Sequence, residues 1–123
     1  HYHKMKQEDI INRGGGRLCF ELRPADNRGQ PKDLPVLVRK DGIPLKVSPD
    51  SLVHLDPGDS ITLEPGMYHR FWAVDKPVLC GEISTVNDDE HDNCFLDPVS
   101  RFPIIDEDEE PRRLLVSDYG IYC

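Results

Sequence analysis

The chain has 123 residues, a formal net charge of -8 at pH 7 and 37% hydrophobic residues. The negative charge argues against nucleic acid or an anionic membrane as a partner, and no apolar run approaches the roughly 20 residues that span a bilayer. Eleven prolines and nine glycines, spread between short segments, indicate strands and turns rather than helices. These totals predict one all-β domain that covers residues 1–123.

The first eight residues carry a potential ligand set for a metal ion. His1 and His3 are two positions apart, and Glu8 follows five positions later. In an extended strand, residues i and i+2 point to the same face, so the two imidazoles project together. Two imidazoles and one carboxylate suit a divalent transition metal, although a solvated strand end would carry the same residues. The glycines at 14–16 predict a sharp turn or a close approach to other atoms.

The next segments read as strands and a hairpin. Residues 17–22 alternate so that Leu18, Phe20 and Leu22 share one face. Asp41-Gly42 separates the apolar runs 34–40 and 43–47, which is a strong hairpin signal. Pro44 in the second arm predicts an edge strand, since proline cannot donate to a neighbour. A short strand at 52–55 carries His54, which we expect at the surface.

A second histidine motif lies far downstream. Pro65-Gly66 predicts a turn that delivers His69 onto a new strand over 68–74. A separate long strand over 77–86 carries Glu82.

The C-terminal third is more polar. The run 87–93 predicts a solvated or site-lining loop with His91 exposed. Five consecutive acids at 106–110 predict, taken alone, a solvated and self-repelling turn. Residues 112–119 fit a last strand or a short helix.

The four cysteines, Cys19, Cys80, Cys94 and Cys123, show no close pairing. This spacing favours reduced thiols in a cytoplasmic protein over a disulfide framework. We expect Cys19 and Cys80 to lie in strands, at least partly buried.

Together the two histidine motifs read HxHx4E followed by PGxxH, the signature of the cupin barrel. The stretches HYHKMKQEDIINRGGG, EPGMYHRFWA, GEISTVNDDEHDN and RFPIIDEDE more closely resemble the D-lyxose isomerase family of cupins. The resemblance covers most of the chain. It implies a double-stranded β-barrel (jelly roll) and an aldose–ketose isomerase with a divalent metal, usually Mn²⁺. Such enzymes interconvert D-lyxose with D-xylulose and D-mannose with D-fructose.

The resemblance also assigns residues to roles. The implied metal ligands are His1, His3, Glu8 and His69, and Lys6 matches a lysine that lies beside the metal. Like charge and desolvation raise the pKa of an inner carboxyl in an acidic run, which suits a catalytic base. Within the run we predict Glu107 as the base, because it is the first acid whose side chain is long enough to reach past the strand. The other candidates for the base are Asp106, Asp108 and Glu82. The residues expected to contact the substrate are Lys6, Glu82 and Asp108.

The expected partners are a small sugar and a second copy of the chain in a homodimer. Family members carry further segments before the HxH motif, so we expect this chain to lack an N-terminal segment. Two other readings use the same ligand set. One is a cupin dioxygenase with Fe or Cu, against which the polar residues Asn87, Asp88 and Asp89 argue. The other is a non-catalytic sugar-binding cupin, against which the complete set of four ligands argues.

Overall fold

The computed structural model describes residues 1–86, 88, 90–97, 106 and 108–123. Within these ranges nearly all regular structure is β. The strands are β1 (Tyr2–His3), β2 (Glu8–Pro24), β3 (Val36–Lys40), β4 (Ile43–Val47), β5 (Leu52–Leu55), β6 (Ser60–Leu63), β7 (Met67–Ser84) and β8 (Asn93–Cys94). A 3₁₀ turn (Val116–Asp118) and a short helix α1 (Tyr119–Tyr122) follow.

The strands form one large and one small antiparallel sheet. The large sheet has the order β4-β3-β6-β2-β5, with β7 pairing along β2, and β1 pairs with β8 in the small sheet. The large sheet curls into a half-barrel, which confirms the predicted all-β, cupin-type fold. None of the helices among the described residues is long and apolar enough to cross a membrane.

The core lies on the concave side of this curl. Leu18, Phe20 and Leu22 on β2 are buried together, as their alternation predicts, and they pack with Leu55 and Ile61 from β5 and β6. Burying side chains of this size contributes about 1.5–3 kcal/mol each. The core thereby fixes the register of β2, whose first residue, Glu8, belongs to the candidate site.

The hairpin prediction is confirmed. β3 and β4 pair around Asp41 and Gly42, which have φ values of 51° and 77°, the left-handed conformation that a two-residue hairpin turn needs. β4 is the last strand on its side of the large sheet, in agreement with the edge position predicted from Pro44. The C-terminal segment takes the short-helix alternative.

One prediction about the long strands is confirmed and one is wrong. The glycines at 14–16 take the predicted close approach rather than a turn, because β2 continues through them with two register shifts against β7. Their close approach is confirmed, since a Cβ on Gly15 would clash with the backbone carbonyl of Pro77. The segments 68–74 and 77–86 form the single strand β7, in which Asp75 takes a left-handed φ of 69° opposite the glycines. The irregular segments of β2 and β7 lie opposite each other, so the two strands pair on both sides of them. β7 therefore continues past Pro77.

All four cysteines are free, as expected. Cys19 is buried in β2, but Cys80 in β7 is exposed, so its predicted burial is wrong. Strand alternation gave no information about which face of β7 is covered.

Candidate metal centre

The Pro-Gly turn brings the two histidine motifs side by side. Gly66, with φ 78°, donates its N–H to the carbonyl of His3 at 2.7 Å. Three residues later, the N–H of His69 donates to the carbonyl of His1 at 2.9 Å. β1 is therefore held against the start of β7, and the side chains of all three histidines meet.

The three histidine rings form a compact group of nitrogen donors. His1, His3 and His69 each offer a ring nitrogen within 4.8 Å of the others. The Nε2 atoms of His1 and His3 are 3.3 Å apart. His3 and His69 are buried and His1 is half-buried. Three imidazoles held this closely can serve as ligands of one transition-metal ion.

Glu8 completes the predicted donor set. Its carboxylate is only 4% exposed, with Oε1 at 3.1 Å from Nε2 of His69 and Oε2 at 3.5 Å from Nε2 of His3. Burial pushes the pKa of Glu8 upward, but the interactions with His69 and Lys6 outweigh it and lower the pKa to about 2. Glu8 is therefore an ionised carboxylate in a buried site, the form in which it binds a cation.

Lys6 lies between two carboxylates. Its Nζ is 2.8 Å from Oε2 of Glu8 and 2.9 Å from Oε1 of Glu82. Burial acts to lower the pKa of Lys6, but the hydrogen bonds to Glu8 and Glu82 raise it overall. This buried ammonium group sits beside the histidine cluster, where the resemblance expects it, and it links the cluster to Glu82 on β7.

The hydrogen bonds of His69 test whether the group fits a metal ion. Nδ1 of His69 is 3.0 Å from the carbonyl of Met67, which can only accept, so Nδ1 carries the proton. In the neutral ring Nε2 then carries the lone pair. It is buried without a hydrogen-bond partner among the described residues, and it faces the carboxylate of Glu8. A cation between these two atoms, either a proton on Nε2 or a metal ion, satisfies both, so the donor set fits a metal ion.

Asp92 is the site residue that the sequence analysis missed. Its side chain is 2% exposed and accepts three backbone N–H groups, from Lys4, Met5 and Lys6, at 2.8, 2.8 and 2.9 Å. Burial pushes the pKa of Asp92 upward, but these three hydrogen bonds outweigh it and hold the pKa below its usual range. In the sequence Asp92 is one of several acids in a polar run, and no periodic signal distinguishes it.

The remaining predicted residues are dispersed. The side chain of Glu82 is 46% exposed, in contact with Lys6. Asp106 and Asp108 are both exposed, and neither belongs to the histidine group found among the described residues. Glu107, Asn87 and Asp89 lie outside the described residues. His54 and His91 are exposed, as expected.

A cavity of about 350 Å³ opens beside the histidines. His1 and His69 form part of its wall, together with Arg23, Arg70, Tyr68 and Phe95. The volume suits a small-molecule ligand, and the mixture of charged and aromatic side chains suits a polar one.

A curled β-sheet that gathers three histidines and a buried carboxylate beside a small cavity is a candidate metal centre of the cupin type. A family model described as D-lyxose isomerase matches residues 1–119, and the chain belongs to that family. It is 50% identical over 121 residues to a D-lyxose/D-mannose isomerase of Escherichia coli O157:H7. It is 49% identical over 121 residues to a D-lyxose/D-mannose isomerase of Serratia proteamaculans. Each match covers 97% of this chain and 53% of the relative, so the chain spans about half the length of these relatives.

Proposed function

We propose that this chain carries the metal centre of an aldose–ketose isomerase that interconverts D-lyxose with D-xylulose and D-mannose with D-fructose. The observation that carries the proposal is the buried group of His1, His3 and His69, with Glu8 between two of the rings. Membership of the D-lyxose isomerase family, and two relatives named D-lyxose/D-mannose isomerase, support the proposed substrate class.

The proposed metal ligands are His1, His3, Glu8 and His69, and the proposed ion is Mn²⁺. Imidazole nitrogens with one carboxylate suit several divalent transition metals. The proposal of Mn²⁺ therefore rests on the resemblance to the D-lyxose isomerase family. When bound, such an ion supplies Lewis-acid polarisation of neighbouring carbonyl and hydroxyl oxygens. Glu8 contributes the negative charge that holds the ion, since its pKa of about 2 keeps it ionised near neutral pH.

The isomerisation itself is a proton transfer between adjacent carbons. A carboxylate removes the proton from C2 of the aldose and returns it to C1, while a hydroxyl proton moves from the oxygen on C2 to the oxygen on C1. We propose Glu107 as this base, with Asp106, Asp108 and Glu82 as the other candidates. Glu82 is supported by its position, because it contacts Lys6, whose other partner is Glu8.

Lys6 is proposed to donate a hydrogen bond to a substrate oxygen as charge develops on it. Its ammonium group is buried and already paired with two carboxylates, so it is pre-oriented and needs little reorganisation. Glu82 and Asp108 are the proposed contacts to the sugar hydroxyls.

The test is a ketose assay on the purified protein. Dialysis against a chelator and reloading with Mn²⁺ should abolish and then restore the conversion of D-lyxose to D-xylulose. A protein that binds Mn²⁺ stoichiometrically yet forms no ketose from D-lyxose or D-mannose would overturn the proposed activity.

We also propose a homodimer and, because the four thiols are free, a cytoplasmic location. A light-scattering mass equal to the 14.1 kDa of one chain would contradict the dimer.

A further inference from the structure

The segment between two proposed ligands has no strand partner. His3 ends β1 and Glu8 begins β2, so the four residues between them belong to no strand. Lys4 and Met5 are exposed, yet the backbone N–H groups of Lys4, Met5 and Lys6 all point to one carboxylate, that of Asp92. A single buried side chain therefore holds three of the four backbone N–H groups of this turn, and the fourth, on Gln7, donates to Oγ1 of Thr85 at 3.1 Å.

We propose that Asp92 is a positioning residue that sets the turn between His3 and Glu8, and thereby the relative placement of those two ligands and of Lys6. This inference rests on the proposed function for the roles of the three residues. Asp92 itself touches neither substrate nor metal in this assignment and acts through the backbone.

The geometry uses both oxygens of the carboxylate. Oδ1 accepts from Lys4 and Met5, and Oδ2 accepts from Lys6. An amide in place of the carboxylate has only one accepting atom, so at least one of these three N–H groups would face an N–H₂ donor. The loss would be felt at Lys6, whose backbone is held by Oδ2 and whose Nζ contacts Glu8.

A second contact also links Asp92 to a proposed metal ligand. Oδ2 of Asp92 lies 3.8 Å from Nδ1 of His3, and this buried nitrogen has no hydrogen-bond partner among the described residues. A carboxylate beside Nδ1 favours the tautomer that carries its proton there, which leaves Nε2 as a lone pair. Nε2 is the atom of His3 that faces His1 and Glu8.

The experiment compares Asp92→Asn with Asp59→Asn in Mn²⁺ titrations followed by electron paramagnetic resonance. Asp59 is a matched control, because it also accepts a backbone N–H in a turn but precedes β6 at the end away from Glu8. We expect Asp92→Asn to weaken Mn²⁺ binding by about 10- to 100-fold, the usual effect of losing a group that orients a ligand. Asp59→Asn should bind Mn²⁺ within about twofold of the parent.

Amide hydrogen exchange on the metal-free protein gives a readout that does not depend on metal or activity. The N–H group of Lys6 should exchange slowly in the parent and in Asp59→Asn, and rapidly in Asp92→Asn. Equal Mn²⁺ affinity in the parent and in folded Asp92→Asn, or equal losses in both variants, would overturn the proposal.

If circular dichroism shows that Asp92→Asn does not fold, Asp92→Glu decides the question. Its carboxylate keeps the charge but lies one methylene further out, so Mn²⁺ binding should still weaken several-fold. Affinity equal to the parent's would overturn the proposal. These measurements remain informative even if the parent forms no ketose, so failure of the positioning role is distinguishable from failure of the proposed activity.

Discussion

Two regions of this chain supply the carboxylates predicted for the site, and their surroundings differ in the structure. The first is the ligand stretch at residues 1–8 with its partner Asp92, and the second is the acidic tract at residues 106–110. In the ligand stretch, Glu8 is buried and in contact with His3, His69 and Lys6. In the acidic tract, every residue that the structure describes is exposed.

The difference shows what makes a carboxylate useful in a site. Desolvation would neutralise a lone buried carboxylate, and Glu8 stays ionised only because cationic and hydrogen-bonding partners surround it. The exposed acids at 106 and 108–110 do not require such partners, because water solvates them. The contrast supports the proposed metal binding by the ligand stretch, and it leaves only the proposed proton transfer and sugar contacts to the acidic tract.

The largest effect should come from removing a ligand in the buried region. His69→Ala removes the nitrogen that faces Glu8, so we expect metal content to fall to background and isomerase activity to be lost with it. Metal analysis of the purified variant is the measurement. His54→Ala is the matched control, since His54 is exposed on β5. Equal metal content in His69→Ala and the parent would remove His69 from the ligand set.

The second effect tests whether the acidic tract supplies the base. Glu107→Gln keeps the shape and removes the proton acceptor, and we expect kcat to fall by about 10²- to 10⁴-fold while Mn²⁺ stays bound. Glu109→Gln, an exposed neighbour, is the control. If Glu107→Gln keeps the kcat of the parent and Glu82→Gln shows the expected fall instead, the base is Glu82 on β7.

The third effect concerns Lys6. Lys6→Met keeps the length of the side chain and removes the ammonium group that bridges Glu8 and Glu82. We expect kcat to fall by about 10²- to 10³-fold, as for other pre-oriented donors, with Mn²⁺ affinity little changed. Lys4→Met controls for the loss of charge on the same stretch, because the Lys4 side chain is exposed. If both variants turn over at the parent's rate, Lys6 serves only to hold the two carboxylates.

Local patterns predicted much of this molecule. The two-residue period of strands places Leu18, Phe20 and Leu22 in the core, and Asp41-Gly42 requires the left-handed turn that is observed. These two features depend on at most a few consecutive residues, so a sequence reports them directly. The meeting of HxH with PGxxH, whose His1 and His69 are 68 positions apart, was expected from the resemblance to the cupin signature.

Features that depend on distant pairing were not predictable. The unbroken course of β7 depends on matching irregularities at Gly15 and Asp75, which are 60 positions apart in the numbering. The role of Asp92 depends on N–H groups 86 to 88 positions away. Neither leaves a periodic trace in the chain.

The smallest effect is expected for Asp108→Asn, which tests whether Asp108 contacts the sugar or is only a solvated acid. Asp108 is exposed, so Asp108→Asn should leave folding and Mn²⁺ affinity unchanged. If its carboxylate accepts a hydrogen bond from a sugar hydroxyl, losing that bond costs about 0.5–1.5 kcal/mol, which corresponds to a rise in KM of about two- to tenfold with kcat retained. Steady-state kinetics with D-lyxose measure both parameters, and Glu110→Gln provides a control of equal charge change at another exposed position. Equal KM values in Asp108→Asn, Glu110→Gln and the parent would mean that Asp108 is a solvated acid, and the sugar would then be held from the side of Lys6 and Glu82.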